Sequence, residues 1–283
     1  MFVEAYDDLY RKRGLLETPS EPIPPNPIFS FQIRKTPHAF WVAEQEGEIV
    51  GFSDSFVRDS FWYFSWLFIS PSNQGQDIGR NLLERTLASW KEVQITNRAT
   101  MTFAVNPTSQ SLYMRYGMYP REPAYFVRAP SKVIKEEKRQ AAELDFEELA
   151  NLGEGSDILR QMDEHVLGFS LDWRDEYFFE TKARCYVFLD KNSPAGYVYV
   201  RPSGVVGPMA VKLKEFTKPV LDMALEIAAT LGVENVGYYT PGSNVGAIEL
   251  ALKYKMRFDP YVFMSTKLFA KWENYIFNSA ALT

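Results

Sequence analysis

The chain has 283 residues, 46% hydrophobic and 15% aromatic, enough for packed cores and against a disordered chain. Its 31 basic and 36 acidic residues leave a formal net charge of -5, which disfavours the broad basic face that nucleic acids and acidic membranes require. A single cysteine, Cys185, excludes an intrachain disulfide, and with only His38 and His165 a zinc site built on His and Cys is not expected.

At about 150 residues per domain the length suggests two domains. The N-terminal residues Met1 to Asp8 are acidic and carry no apolar signal region, and no run of about 18 apolar residues is present. A cytoplasmic protein that does not enter the membrane is the expectation. Cys185, inside Ala183-Arg-Cys-Tyr-Val-Phe188, reads as a small core residue rather than a nucleophile.

In chain order, Met1 to Gly14 has a helical pattern with glycine as its stop. Thr18 to Pro27 holds five prolines and reads as an extended connection. Phe40 to Glu44, a Glu46-Gly47 turn and Ile49 to Val57 form a predicted hairpin, and Phe61 to Ile69 a third strand. A helix is predicted over Arg80 to Glu92, a strand over Thr100 to Val105, a helix opening at Asn106 and a short strand over Tyr125 to Arg128. Ala129 to Glu137, with one proline and then a run of charges, reads as the linker between domains.

The second half repeats this order. Tyr186 to Leu189, a Lys191-Asn192 turn and Gly196 to Val200 make a hairpin, followed by a strand over Val205 to Val211 and a helix over Lys218 to Leu231. A strand over Val233 to Tyr239 and a helix near Asn244 close the pattern. Asn106, Leu112, Tyr116 and Met118 align with Asn244, Leu250, Tyr254 and Met256 at a constant offset of about 138 residues, the mark of an internal duplication. An opening strand near Lys138 to Leu144 has no evident counterpart at the start of the first copy.

The segment from Ile69 to Leu83 runs from a strand through a glycine-containing turn into a helix. Unpaired N–H groups at such a helix start, aided by the helix dipole, bind anions. Leu67-x-Ile69-x-Pro71-x-x-Gln74-Gly75-x-x-Ile78-Gly79 resembles the acetyl-CoA signature of the GNAT acetyltransferase superfamily. Asn106…Leu112-Tyr113…Gly117-Met118 is similar to the family's second signature, in which an Asn opens a helix carrying Leu-Tyr.

The resemblance implies an α/β (α+β) fold of two tandem GNAT-like domains, each a mixed, mostly antiparallel twisted sheet flanked by helices. The first, residues 1–129, would hold the acetyl-CoA site, and residues 138–283 would form a degenerate, non-catalytic copy. It implies that the backbone of Leu67, Phe68 and Ile69 pairs with the pantetheine arm as an added strand. Gln74, Gly75, Gln76, Asp77, Ile78, Gly79 and Arg80 would wrap the pyrophosphate, with Arg80 as a nearby cation. Tyr113 would be the general acid that returns a proton to the departing thiolate, although a packed aromatic is the bland alternative. Asn106 reads equally as a helix cap and as a coenzyme contact. Asp77 departs from the family by standing where a glycine is usual. Aspartate tolerates positive φ, so the turn survives, but its charge opposes a pyrophosphate.

In the second copy no glycine follows Met209 before Lys218, and Ala251 stands in the place of Tyr113. Coenzyme binding is expected at the first copy only. A base is harder to assign. Glu44, Asp54 and Asp59 flank the aromatic strand, and each reads first as a surface charge. Alternate members of Phe61, Trp62, Tyr63, Phe64, Trp66 and Phe68 face opposite ways, so one set could line an acceptor channel. Phe169, Trp173, Tyr177 and Phe178 are candidates to cover it.

The expected function is acetyl-CoA-dependent N-acetyl transfer to a primary amine by direct attack, without a metal. The acceptor would be a small molecule or a peptide; nucleic acid and membrane are not expected partners, and a homodimer is the assembly considered. The alternatives are a catalytically silent CoA-binding sensor or interaction module, and a structural scaffold that binds no coenzyme.

Overall fold

The computed structural model describes residues 2–14, 27–137 and 144–281. The chain forms two compact units that divide near Tyr119: residues up to Tyr119 with Met264–Lys267, and Pro120–Phe263 with the residues from Leu268 onward. Both are mixed α/β units, each a mostly antiparallel open sheet flanked by helices.

The first unit begins with α1 (Phe2–Lys12) and α2 (Pro27–Lys35). Gly14, at φ 66, ends the first of these as a left-handed stop. The proline-rich connection lies largely outside the described residues, and its last proline opens α2, a helix the sequence patterning did not reveal. Pro at a first helical position loses no intrahelical bond, which is why this proline starts a helix rather than preventing one.

Four strands follow in sheet order β1 (Trp41–Gln45), β2 (Glu48–Arg58), β3 (Phe61–Ile69) and β4 (Asn97–Phe103). Glu46 at φ 53 and Gly47 at φ 84 make the tight turn of the predicted hairpin. β2 and β3 are antiparallel, with the register shifting between Asp54 and Ser55; β3 and β4 are parallel. The parallel step is bridged by α3 (Ile78–Ala88), and α4 (Pro107–Arg115) follows β4.

Strand alternation sorts β2 into two faces. Ser53 meets α3, with its Oγ 2.6 Å from Thr86 Oγ1 and 3.4 Å from the Leu82 carbonyl. Phe52 faces the other way, its ring 5.4 Å from Phe29 of α2. Trp62, Tyr63 and Phe64 of β3 are buried, so the first half of that strand is core.

β5 (Tyr119–Pro130) is longer than the predicted strand, and from Pro120 it belongs to the second unit, where Ala124–Pro130 pair antiparallel with β10 (Asn235–Pro241). Conversely Met264–Lys267, at the end of β11 (Arg257–Ser265), belong to the first unit. There Thr266 donates its N–H to the Arg98 carbonyl at 2.9 Å. The boundary between the units therefore falls at Tyr119–Pro120, at the start of β5, rather than at residue 129. Ser131–Glu136, read as linker, form a short helix, α5, with Ile134 buried.

The second unit has the sheet order β11-β5-β10-β9-β8-β7-β6, with β6 (Asp145–Leu149), β7 (Arg184–Asp190), β8 (Ser193–Val200) and β9 (Val205–Val211). The interval in which an opening strand was expected, Lys138 to Leu144, lies outside the described residues except for Leu144, and β6 begins at the next residue. α6 (Leu152–Leu167) and α7 (Asp172–Glu180) follow β6, α8 (Thr217–Thr230) follows β9, and α9 (Val245–Lys253) follows β10. Leu221, Ala224, Leu225 and Ala228 of α8 pack on Val198, Val206 and Met209. A final short strand, β12 (Tyr275–Ile276), pairs with β9. Cys185 is buried and burial pushes its thiol up, in keeping with a core residue. Phe169, Tyr177 and Phe178 are buried within this unit.

The duplication is visible in side-chain detail. Asn106 and Asn244 each cap a helix, accepting at 3.1 Å from the N–H of Ser109 and of Ala247. Tyr116 donates its hydroxyl to Glu84 at 2.6 Å, and Tyr254 makes the same bond to Asp222, the carboxylate at the matching position of the second copy.

Candidate active site

In the first unit the β3–β4 ladder stops at the Phe64–Thr100 pair, although β3 continues to Ile69. The Thr100 hydroxyl donates to the Phe64 carbonyl at 2.9 Å and closes the ladder there. Beyond it β3 runs on to Ile69 without a ladder to β4. A strand edge that has left its ladder can accept an extended ligand arm as an additional strand. Leu67, Phe68 and Ile69 lie on this open stretch, all part-exposed.

After Ile69 the chain makes a turn of 3-10 helix at Pro71–Asn73 and passes through Gln74, whose amide donates to the Ile69 carbonyl at 3.4 Å. Gly75 has φ 80, with open space where a side chain would begin. Asp77 has φ 60 and ψ 4 and sits in the N-cap position of α3 without capping it. The aspartate holds the left-handed turn that a glycine would make, as the sequence led us to expect. The N–H groups of Gly75, Gln76 and Asp77 donate to nothing among the described residues, and the first intrahelical bond runs from Asn81 to Asp77 at 3.0 Å. Those groups and the first turn, Ile78, Gly79 and Arg80, aim unbonded donors at one small region with the positive end of the helix dipole behind them.

At Gly79 a β-carbon would lie 3.6 Å from Leu67, 3.8 Å from Ile69 and 4.0 Å from Leu112, so β3, α3 and α4 converge at that residue. Arg80 is not a free cation: its guanidinium lies 3.3 Å from the Asp77 carboxylate, and both side chains are exposed.

Tyr113 is buried, its ring edge-on to Phe64 at 5.9 Å, at the point where β3 and β4 part. Burial pushes its phenol up, and hydrogen bonds from Ser109 and Thr100 draw it back in part. Asn106 donates through Nδ2 to Ser109 Oγ at 2.8 Å while its Oδ1 caps the helix. Asn106 is therefore a capping residue that also fixes Ser109, one of the two hydroxyl residues that lower the Tyr113 pKa against the effect of burial. Ser109 thus touches one motif position and influences the other.

Of the three carboxylates that flank β3, Glu44 and Asp59 are exposed and Asp54 is buried. Neither carboxylate oxygen of Asp54 has a hydrogen-bond partner, so the surface-charge reading of this residue fails. Burial drives its pKa well up, and only the nearby Ser55 N–H favours the charged form. Sequence could not show this, because its burial depends on α2 and β3 packing against β2.

The corresponding region of the second unit is built differently. β9 and β10 pair in parallel only at Val205–Val206 with Gly237–Tyr238, so they part as β3 and β4 do. The gap is filled by the chain itself. Tyr275 and Ile276 pair with Ala210 and Met209, and the Phe277 N–H donates to the Tyr239 carbonyl at 2.9 Å. Asn244, the counterpart of Asn106, donates to the Tyr275 carbonyl at 3.0 Å, and Asn274 donates to the Val211 carbonyl at 2.9 Å. Arg174 reaches the Tyr275 hydroxyl at 3.2 Å and the Asp163 carboxylate at 2.8 Å, both inside the core. No residue from Pro208 to Thr217 has positive φ, so no left-handed turn follows β9.

Among the described residues no group of three or more His, Cys, Asp or Glu side chains is placed to hold a metal ion. No helix among them is long and apolar enough to cross a membrane.

A strand that parts from its parallel neighbour, a turn with unbonded N–H donors and a tyrosine-bearing helix together make up a GNAT-like fold. Residues 36–117 match the family model described as acetyltransferase (GNAT) domain, and this part of the chain is a GNAT domain. No curated protein sequence matches the chain. The fold is similar to that of a candidate acetyltransferase from Pyrococcus horikoshii (16% identity, TM-score 0.69, covering 88% of this chain and 81% of that one). It is also similar to a GCN5-related N-acetyltransferase from Sphaerobacter thermophilus (13% identity, TM-score 0.62, 93% and 90% covered). A tandem GNAT protein from the clavulanic acid biosynthesis pathway matches over 93% of this chain and 94% of its own, with 17% identity and a TM-score of 0.59. The chain accordingly has the fold of two tandem GNAT-like domains.

Proposed function

We propose that the protein is an N-acetyltransferase that uses acetyl-CoA at the first unit only and transfers the acetyl group directly to a primary amine. The observation that carries this reading is the open β3 edge leading straight into the unbonded N–H groups of Gly75 to Asp77. Leu67 to Ile69 would bind the pantetheine arm, and Gln74 to Arg80 the pyrophosphate. The coenzyme supplies an acetyl group on a thioester. The chain supplies backbone donors that polarise the carbonyl and Tyr113, whose raised pKa keeps it a proton donor at neutral pH. Cys185 is buried, with its thiol pushed up, which argues against a covalent acyl-enzyme at that residue.

In the second unit Tyr275 to Phe277 fill the place of the pantetheine arm, and Ala251 provides no acid. That unit is read as non-catalytic. Calorimetric titration with acetyl-CoA is expected to give one site per chain, and release of free thiol in the presence of amines reads turnover. Two sites per chain would overturn the assignment of a closed second unit.

The Asp77–Arg80 pair favours a second reading, a CoA-binding module without turnover, because it withdraws a cation from the phosphate site. Binding of acetyl-CoA with no thiol release on any amine would select that reading.

A further inference from the structure

Asp54 lies on β2 opposite Trp66 of β3, one step before the register shift and two residues after Phe52. It therefore shares the α2 face of the sheet with Phe52. On that face Trp66 donates its indole N–H to Gln32 Oε1 at 3.0 Å, and the rings of Phe29 and Trp66 are 5.1 Å apart. Phe52 stacks on Phe40 at 5.9 Å and on Phe68 at 5.6 Å. The surroundings are aromatic, yet three buried polar groups lack partners: both oxygens of Asp54, the Gln32 amide nitrogen and the Ser65 hydroxyl.

A buried polar atom left unbonded is costly, and a buried carboxylate more so. The same polypeptide satisfies its other buried carboxylates, as Asp163 and Asp175 show with Arg174. The exception is located where Ser65 follows the Phe64–Thr100 pair, at the root of the opened β3 edge. Beyond it Trp66, Phe68 and Ile69 become part-exposed, so the aromatic face opens towards the same end of β3. Unsatisfied groups that cost stability gather at sites kept for a ligand.

Resting on the acetyltransferase reading above, we propose that Asp54 is the seat and proton acceptor of the acceptor amine, and that this amine is borne on an apolar, aromatic or alkyl body. The ammonium of the substrate supplies the missing counter-charge, and its first proton passes to Asp54, which leaves an amine lone pair. That lone pair forms the N–C bond to the thioester carbonyl as the C–S bond breaks. The sulfur takes the Tyr113 proton, and the second proton lost by nitrogen restores Tyr113 by way of solvent. The net result is an amide, a free thiol and one proton released through Asp54. The Phe29, Phe40, Phe52, Trp66 and Phe68 rings offer contact to an apolar body and no charge to a sugar phosphate or a second ammonium.

The test compares the full-length chain with its Asp54→Asn and Asp54→Leu variants. The readouts are acetyl-CoA binding, thermal unfolding and thiol release with 2-phenylethylamine, hexylamine, putrescine and glucosamine. Both variants are expected to bind acetyl-CoA as the wild type does and to unfold at the same or a higher temperature. They are expected to lose at least about a hundred-fold in kcat/KM with 2-phenylethylamine, the usual contribution of a general base. The Leu variant keeps the test open if the Asn variant does not fold. Wild-type turnover in either folded variant overturns the role of Asp54, and preference for putrescine or glucosamine overturns the apolar acceptor. Coenzyme binding without turnover of any amine by the wild type overturns this proposal while leaving the coenzyme site standing. No binding of acetyl-CoA removes the underlying reading as well.

Discussion

The Asp77 carboxylate lies 3.3 Å from the guanidinium of Arg80, one turn further along the start of α3. The residue that departs from the family pattern thus holds the cation that would otherwise face a phosphate. Asp77→Gly removes a negative charge from the loop, frees Arg80 and keeps the left-handed turn, which glycine adopts at no steric cost. Coenzyme A should bind about three- to ten-fold more tightly to the variant, as a surface charge interaction of about 1 kcal/mol implies. Titration calorimetry at low and high salt checks it, because screening should narrow the difference as ionic strength rises.

Tyr113→Phe preserves the edge-on contact with Phe64 and removes the hydroxyl proposed as the proton donor. kcat should fall by about two orders of magnitude with KM for acetyl-CoA nearly unchanged, the pattern expected when an interaction made only in the transition state is lost. Steady-state kinetics with a thiol reagent measures both.

Ser109→Ala removes the hydroxyl that accepts from Asn106 and lowers the Tyr113 pKa, but leaves the backbone N–H that Asn106 caps. The helix should lose less than about 1 kcal/mol, whereas kcat should drop several-fold through a misplaced phenol. A denaturant titration alongside the kinetics separates the two effects.

The buried carboxyl of Asp54 binds a proton more tightly in the folded chain than in the unfolded one, since burial raises its pKa. The stability it confers is therefore present in full below the unfolded pKa and is lost as pH rises towards the folded value. Asp54→Asn cannot lose that proton. Its stability relative to wild type should therefore grow as pH rises above about 4, the unfolded value of an aspartate. Thermal unfolding across this range gives the comparison.

Arg174 is fully buried and donates to Asp163, Asp175, Tyr197 and Tyr275, so it ties α6, α7 and β8 to β12. Arg174→Ala strands two buried carboxylates and should cost about 3–5 kcal/mol. The same change is expected to free Tyr275 and loosen β12, which hydrogen exchange at Ile276 and Phe277 would detect.

Features set by neighbouring residues were legible from the sequence alone. The Glu46-Gly47 and Lys191-Asn192 turns, the caps at Asn106 and Asn244, the strand over Val205–Val211 and the loop after Ile69 all depend on backbone preferences a few residues wide. The duplication was legible because Asn106, Leu112, Tyr116 and Met118 recur as Asn244, Leu250, Tyr254 and Met256, and the structure adds the matching bonds of Tyr116 to Glu84 and Tyr254 to Asp222. Tertiary structure decided everything that depends on partners distant in sequence. Asp54 looks like a surface charge until α2 and β3 bury it. β5 looks like the end of the first copy until β10 provides its ladder. The second copy looks merely deprived of glycine until Tyr275 and Ile276, far along the chain, pair with β9 and occupy the gap. Backbone hydrogen bonds and burial are satisfied by whichever segment the fold brings near, so the opening retained in the first unit and closed in the second is a property of the folded chain.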